Sequence, residues 1–332
     1  MLPGGAAIEE VSAREFTRGL GRLDRPVVAR GLVAHWPVVE GASRSPAAAA
    51  DYLRRLYNGA AVRAFFGEPG IAGRFFFKPD FSGFNFSTAE TDLRTLLETL
   101  GGGAQQSIYM GSTPTEDILP RFEAENALRV MTEHGAGPRI WIGTSSRVAA
   151  HFDESDNVAC VVSGRRRFTL FPTEQVSNLY VGPIDDTVAG QPTSMVDLGA
   201  PDYERFPRFK GALAAGQFAD LEPGDAIYIP SLWWHAVEAV GPLNILVNYW
   251  WQDEPLDGGS PLPVLGHGLM AIGHLSERKR ARWRTLFDHY VFKPGGDPTE
   301  HIPPHARGIL GHSTPQLRAG IRQFLITKLT GR

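Results

Sequence analysis

The spacing of apolar residues divides the chain into three stretches with different periods. In the first third, apolar positions recur every three or four residues, interrupted by short β-branched or aromatic runs. Ser12 is placed to cap a short helix whose inner face carries Phe16 and Leu20. Residues 26–30 form a Val-rich extended run, and residues 46–57, rich in Ala and Leu, have the spacing of an amphipathic helix. The triplet Phe75, Phe76, Phe77 predicts a strand, and Leu93, Leu96, Leu97 and Leu100 mark one face of a further helix.

Between residues 139 and 251 the character changes. Short β-branched and aromatic runs at 140–142, 158–162, 168–171, 226–230, 236–240 and 243–251 are separated by Gly, Pro, Asp and Asn. Many short strands with that punctuation predict a barrel or sandwich. Beyond about residue 255 helical spacing returns. Residues 277–292 are charged and amphipathic, with Trp283, Leu286, Phe287 and Tyr290 on one face, and 315–330 form another helix. The expected organisation is a mainly β domain with flanking helices over 1–254 and a helical region over 255–332.

Composition adds exclusions. Hydrophobic residues make up 42% and charged residues 21%, so a large core is expected. A formal charge of −3 lacks the basic excess of a duplex binder, which argues against nucleic acid as a partner. The single cysteine, Cys160, rules out an intrachain disulfide and a thiolate cluster, and within the run 158–162 it reads as a small buried hydrophobe. The N-terminal residues lack the pattern of a secretory signal, and no apolar stretch approaches the roughly 20 residues that span a bilayer. A cytoplasmic protein without membrane contact is expected.

The candidate chemistry lies in the β stretch. His151-Phe152-Asp153 puts an imidazole and a carboxylate at alternate positions of an extended segment, on one side of it. With 10 His and 36 acidic residues, about one such triplet is expected by chance, so the triplet alone decides little. Some eighty residues on, a Pro223-Gly224-Asp225 turn opens a strand that leads through Pro230 and two tryptophans to His235, a second imidazole or a core histidine. Two His and one carboxylate on one face leave three open coordination positions and suit divalent iron. A third piece is the run 164–172, Gly-Arg-Arg-Arg-Phe-Thr-Leu-Phe-Pro. Alternation puts Arg166 on a face with Phe168 and Leu170, and Arg165 and Arg167 on the other. A guanidinium on an apolar face requires an anion, either a bound dicarboxylate or an acidic side chain of the chain itself.

Taken together, these pieces resemble the JmjC-type, cupin-like hydroxylases related to the asparaginyl hydroxylase of the hypoxia pathway, and most closely the bacterial members of that group. The resemblance spans nearly the whole chain. It is densest from Trp141 to Trp251, through His151-Phe152-Asp153, Asn157, the 164–172 run, Ile229-Pro230, Trp233-Trp234-His235 and Val247-Asn248-Tyr249-Trp250. It implies a double-stranded β-helix, the cupin or jelly-roll barrel, with iron(II) on His151, Asp153 and His235, and 2-oxoglutarate and O2 as cosubstrates. Arg166 falls where the asparaginyl hydroxylase has a lysine for the far carboxylate of 2-oxoglutarate. Tyr109 matches a tyrosine that bonds the same carboxylate, and Asn157 and Asn248 match asparagines beside cosubstrate and metal. Val148 departs, standing where a threonine hydroxyl would have bonded the cosubstrate.

The resemblance further implies hydroxylation of a protein or peptide side chain, with Trp233, Trp234 and Phe77 as candidates to line its groove. Lysine demethylation, a small-molecule or nucleoside substrate, and a non-catalytic metal- or acid-binding regulator are the alternatives. Related enzymes dimerise through C-terminal helices. The face carrying Trp283, Phe287 and Tyr290 therefore predicts a homodimer, unless it packs on the chain's own barrel.

Overall fold

The computed structural model describes residues 5–103, 105–188, 190–252 and 259–330. The chain forms two compact units, Met1–Asp253 and Glu254–Arg332. The boundary expected between 254 and 255 lies outside the described residues.

The first unit is built on twelve strands: β1 (Ala6–Ala7), β2 (Glu9–Val11), β3 (Val27–Ala29), β4 (Ala61–Gly67), β5 (Phe86–Asp92), β6 (Ser107–Pro114), β7 (Arg139–Gly143), β8 (Ser146–His151), β9 (Asp156–Phe171), β10 (Gln217–Leu221), β11 (Ala226–Ile229) and β12 (Trp234–Trp251). β9 and β12 organise everything else. Their outer ends, 156–163 and 245–251, pair antiparallel inside the row β2-β3-β11-β9-β12-β7-β6-β4-β5. Their other ends, 165–171 and 234–240, pair again and recruit β10 (with β1 beyond it) and β8. Two facing sheets therefore share two bent strands, which is the double-stranded β-helix the motifs implied.

The runs expected as separate strands at 158–162 and 168–171, and at 236–240 and 243–251, are thus single strands that bend. Gly164 (φ 75°) and Gly241 (φ 139°) make the bend possible, because only glycine takes these conformations at no steric cost. A Cβ on Gly164 would collide with the Asn244 side chain, so the two strands approach closely there.

Period-two alternation then sorts side chains into three cores. Ala159, Val161, Phe168, Leu170, Ile229 and Leu246 fill the space between the sheets. Their neighbours Val158, Cys160, Val247 and Tyr249 point outward and pack with Trp36, Leu53, Leu97 and Phe122. Burial pushes the Cys160 thiol up, as its expected role as a hydrophobe requires. On the outside of the second sheet, Phe171, Trp234 and Ala236 pack with Leu179, Phe209 and Leu213. The helices expected in the first third form as Ala13–Gly19, with Ser12 and Glu15 making a capping box, and as Pro46–Leu56 and Leu93–Gly101.

One expectation fails. Residues 75–77 are not a strand: only Phe77 makes a bridge, to Phe84, and the flanking segments β4 and β5 pair instead. The aromatic run packs ring against ring, Phe77 on Phe76, Phe81 and Phe84, and this satisfies it without a ladder.

The second unit is helical, with helices Leu262–Gly268, Glu277–Phe287 and Pro315–Thr330. None of its described Val, Leu, Ile, Met, Phe, Tyr or Trp residues is buried.

Candidate metal centre

His151 is the last residue of β8 and His235 the second of β12, and the two are cross-strand partners. Their rings lie 4.3 Å apart. Asp153 follows in the turn after β8, its Oδ2 3.5 Å from Nε2 of His235. One ligand atom from each of the three residues lies within 4.8 Å of the others, a cluster of the size that one ion can bridge. The turn before β12 holds Asp153 in place: the Leu232 N–H donates to the Asp153 carbonyl at 2.9 Å, and the Ser231 hydroxyl to the Glu154 carbonyl at 2.9 Å. Leu232 adopts a left-handed conformation (φ 63°) to do so, a cost accepted beside a site where geometry matters.

The hydrogen bonds around the ligands select their reactive atoms. Nδ1 of His151 lies 2.9 Å from the Ala149 carbonyl and Nδ1 of His235 3.1 Å from the Trp233 carbonyl. A carbonyl accepts only, so each Nδ1 carries a proton and Nε2 is the ring nitrogen left to face a metal. Burial, with the neighbouring His151, pushes the His235 imidazole down to about 4 against the pull of Asp153. It is therefore neutral at physiological pH, as a ligand must be.

Asp153 is oriented by a chain of donors. Trp250 Nε1 donates to its Oδ2 at 3.1 Å and Asn157 Nδ2 at 3.4 Å. Asn248 Nδ2 donates to Asn157 Oδ1 at 3.1 Å, and Trp141 Nε1 to Asn248 Oδ1 at 2.7 Å. Asn157 and Asn248 thus form the middle of this chain of donors. The roles of Trp141 and Trp250 were not read from the sequence, although alternation from Asn248 already put Trp250 on the inner face.

For Arg166 the alternatives were a bound anion and an acidic side chain of the chain itself. It is 3% exposed, faces the interior with Phe168 and Leu170, and its Nε has no hydrogen-bond partner. No acidic side chain among the described residues pairs with it. Burial pushes its guanidinium down, and the neighbouring Tyr109 counteracts this. The Tyr109 hydroxyl, pushed up to about 12 by burial, makes no hydrogen bond with the described residues. Its ring is fixed by Phe65, Phe75 and Trp141. Val148 pairs with Val237 on β12 and offers no hydroxyl. The arrangement can therefore hold a divalent cation on two Nε2 atoms and a carboxylate, and beside it an anion on Arg166 and Tyr109.

The groove residues fare differently. Trp234 is 2% exposed and stacks edge-on against Phe152 in the outer core, and Phe77 is buried among phenylalanines. Neither lines a groove. Trp233 is half-buried against the interior core.

A two-sheet barrel that closes around a His-Asp-His cluster is the architecture of the cupins. The chain belongs to the cupin-like domain family, which it matches over residues 13–257. It is similar to lysine-specific demethylase 8 of Xenopus tropicalis, 25% identical over 235 residues, covering 69% of this chain and 48% of that protein. Lysine-specific demethylase JMJ31 of Arabidopsis thaliana is 35% identical over 114 residues, 34% of this chain and 20% of that protein. Human HSPB1-associated protein 1 is 32% identical over 119 residues, 35% of this chain and 24% of that protein. The chain spans less than half the length of these relatives.

Proposed function

We propose that the chain is an iron(II)- and 2-oxoglutarate-dependent oxygenase that hydroxylates a protein or peptide side chain, releasing succinate and carbon dioxide. The observation that carries this reading is Arg166, a buried guanidinium without an acidic partner among the described residues, in the same interior as two imidazoles and a carboxylate. Such a charge is tolerable only if an anion joins it in the working state.

His151, Asp153 and His235 would hold the iron, and Arg166 with Tyr109 the far carboxylate of 2-oxoglutarate. Iron with its cosubstrate and O2 supplies the oxidising power, which no side chain here possesses. The chain's own part is positional. The Ala149 and Trp233 carbonyls fix both imidazole tautomers, Trp250 and Asn157 aim the Asp153 carboxylate, and Phe168, Leu170 and Leu246 keep the interior dry. Removal of an N-methyl group from lysine is the same chemistry at a different carbon. The names of the Arabidopsis and Xenopus relatives favour it as the second reading. We also expect a cytoplasmic protein that pairs with a second copy through residues 255–332. No helix among the described residues is long and apolar enough to cross a membrane.

The test is succinate formation by the iron-loaded protein given 2-oxoglutarate and O2, with His151→Ala as control. Succinate that depends on His151 supports the oxygenase. Failure both to form succinate and to bind 2-oxoglutarate when metal-loaded overturns it, and leaves a cupin that binds metal or a small acid without turnover.

A further inference from the structure

A second cavity lies on the other face of the sheet that carries Arg166. Alternation along β9 and β12 turns Arg166, Phe168 and Val237 into the barrel and Arg167, Phe171, Ala236 and Glu238 away from it. Residues 196–199 and 213–218 lie over that outer face and leave a cavity of about 340 Å³, within the roughly 300–1,000 Å³ of small-ligand sites. One part of its wall is apolar, with Phe171, Val196, Leu198, Leu213 and Phe218. Another holds Arg74, Arg147 and Asp197.

The charges there are loosely paired. Arg74 and Arg147 face the Asp197 carboxylate, Glu238 lies exposed across the strand pair from Arg147, and neither guanidinium makes a close contact with Asp197. Arg74 Nε is 3.7 Å from Asp197 Oδ2, too far for a hydrogen bond, and Arg147 Nη1 reaches Oδ1 only at 3.4 Å. That same Oδ1 accepts from the Gly199 N–H at 2.9 Å, so it is committed to its own turn. The Arg74 side chain is 23% exposed and lies over the Phe76 ring at 3.8 Å, and its guanidinium makes no hydrogen bond with the described residues. Burial pushes this group down, against the attraction of Asp197 and aided by the repulsion of Arg147. The other charges on this face are satisfied: Arg167 makes a two-pronged pair with Asp220 at 2.7 and 2.6 Å, and Glu238 is exposed to solvent.

Arg74 is held there by the backbone. Gly73 (φ 76°) comes so close to β8 that a Cβ would sit 2.5 Å from the Ser145 carbonyl oxygen. The Gly73 carbonyl accepts from the Arg147 N–H at 2.9 Å, and its own N–H donates to Ser107 Oγ at 3.0 Å. The two arginines are thereby fixed near each other, and the Arg74 guanidinium is left without a hydrogen-bond partner among the described residues.

We propose that this cavity binds a small organic carboxylate with an apolar body. Arg74 and Arg147 hold the carboxylate, and Phe171, Leu213 and Phe218 take the hydrocarbon part. A carboxylate matches the paired N–H groups of a guanidinium, and the apolar wall disfavours a compact inorganic anion or a polyanion. The site is distinct from the metal centre and stands whether or not the chain is an oxygenase.

Octanoate is a suitable probe, titrated calorimetrically into the full chain, with inorganic phosphate as the comparison anion. Saturable one-to-one binding is expected for octanoate. Loss of a charged, hydrogen-bonded partner in Arg74→Gln should weaken it by about tenfold or more, while Arg166→Gln should leave it unchanged. Asp197→Asn, which removes the competing carboxylate, should tighten it. The proposal is overturned by absence of saturable binding, by phosphate binding as well as octanoate, or by equal affinity in wild type and Arg74→Gln. Loss of binding in Arg166→Gln overturns it too, since the probe would then occupy the metal-side pocket. Should Arg74→Gln fail to fold, the Asp197→Asn result decides alone, and unchanged or weaker binding there sinks the idea.

Discussion

A few buried side chains in this protein have polar atoms with no hydrogen-bond partner among the described residues. Arg166 is the clearest. Replacing an uncompensated buried charge by an apolar side chain of similar volume is commonly neutral or stabilising by about 1–4 kcal/mol. Arg166→Met is therefore expected to melt at the same or a higher temperature than wild type while losing 2-oxoglutarate binding. A lower melting temperature with binding retained would show that Arg166 has a structural partner instead. His235 makes a second residue-scale prediction, for metal-free protein. An unfolded histidine takes up its proton near 6.5, whereas buried His235 does so only near 4. Between those values the unfolded chain binds more protons, so this stability is fully present above about 6.5 and is lost as pH falls toward 4. The full loss is on the order of 3 kcal/mol. Urea melts of chelator-treated protein at pH 7 and pH 5 should show it, and His235→Gln should flatten the difference.

At the scale of elements, β9 and β12 do most of the positioning, because each serves both sheets and carries site residues on its inner face. Their bend rests on Gly164 and Gly241. Gly164→Ala forces a left-handed conformation on an L-residue and drives a methyl group into Asn244. A loss of about 1–3 kcal/mol is expected in chemical denaturation. No measurable loss would mean that the hairpin relaxes without disturbing the ladder. The bend also explains why sequence runs that look like four strands are two. Breaks in hydrophobic pattern were read as ends of strands, but a glycine can turn a strand without ending its pairing.

At the scale of the molecule, the helical unit is the unfinished part. Trp283, Leu286, Tyr290, Val291 and Phe292 are all exposed there, as are Phe324, Leu325, Ile326 and Leu329. An apolar surface of that extent calls for a partner surface. The expected partner is a second copy, so the full chain should sediment as a dimer. Leu286→Glu with Phe292→Asp should shift it to monomer without altering iron binding. A monomeric wild type would refute the dimer.

Much of the metal centre was legible because its signals are short-range. A strand's period of two put His151 beside Asp153 and Arg166 with Phe168 on shared faces, and the Pro-Gly-Asp turn announced the strand that leads to His235. The same alternation, with glycine and proline punctuation, determined a mainly β fold with helices before and after it. What remained hidden depends on residues far apart in the chain. That Arg166 lacks an acidic partner among the described residues depends on where carboxylates distant in sequence come to lie. Trp141 reaches Asn248, 107 residues away, only because β7 pairs with β12. Trp234 and Phe77 look the same in sequence whether they line a groove or fill a core, and packing alone put them inside. Local chemistry and periodicity are written residue by residue, but which groups are left without a partner is a property of the closed barrel.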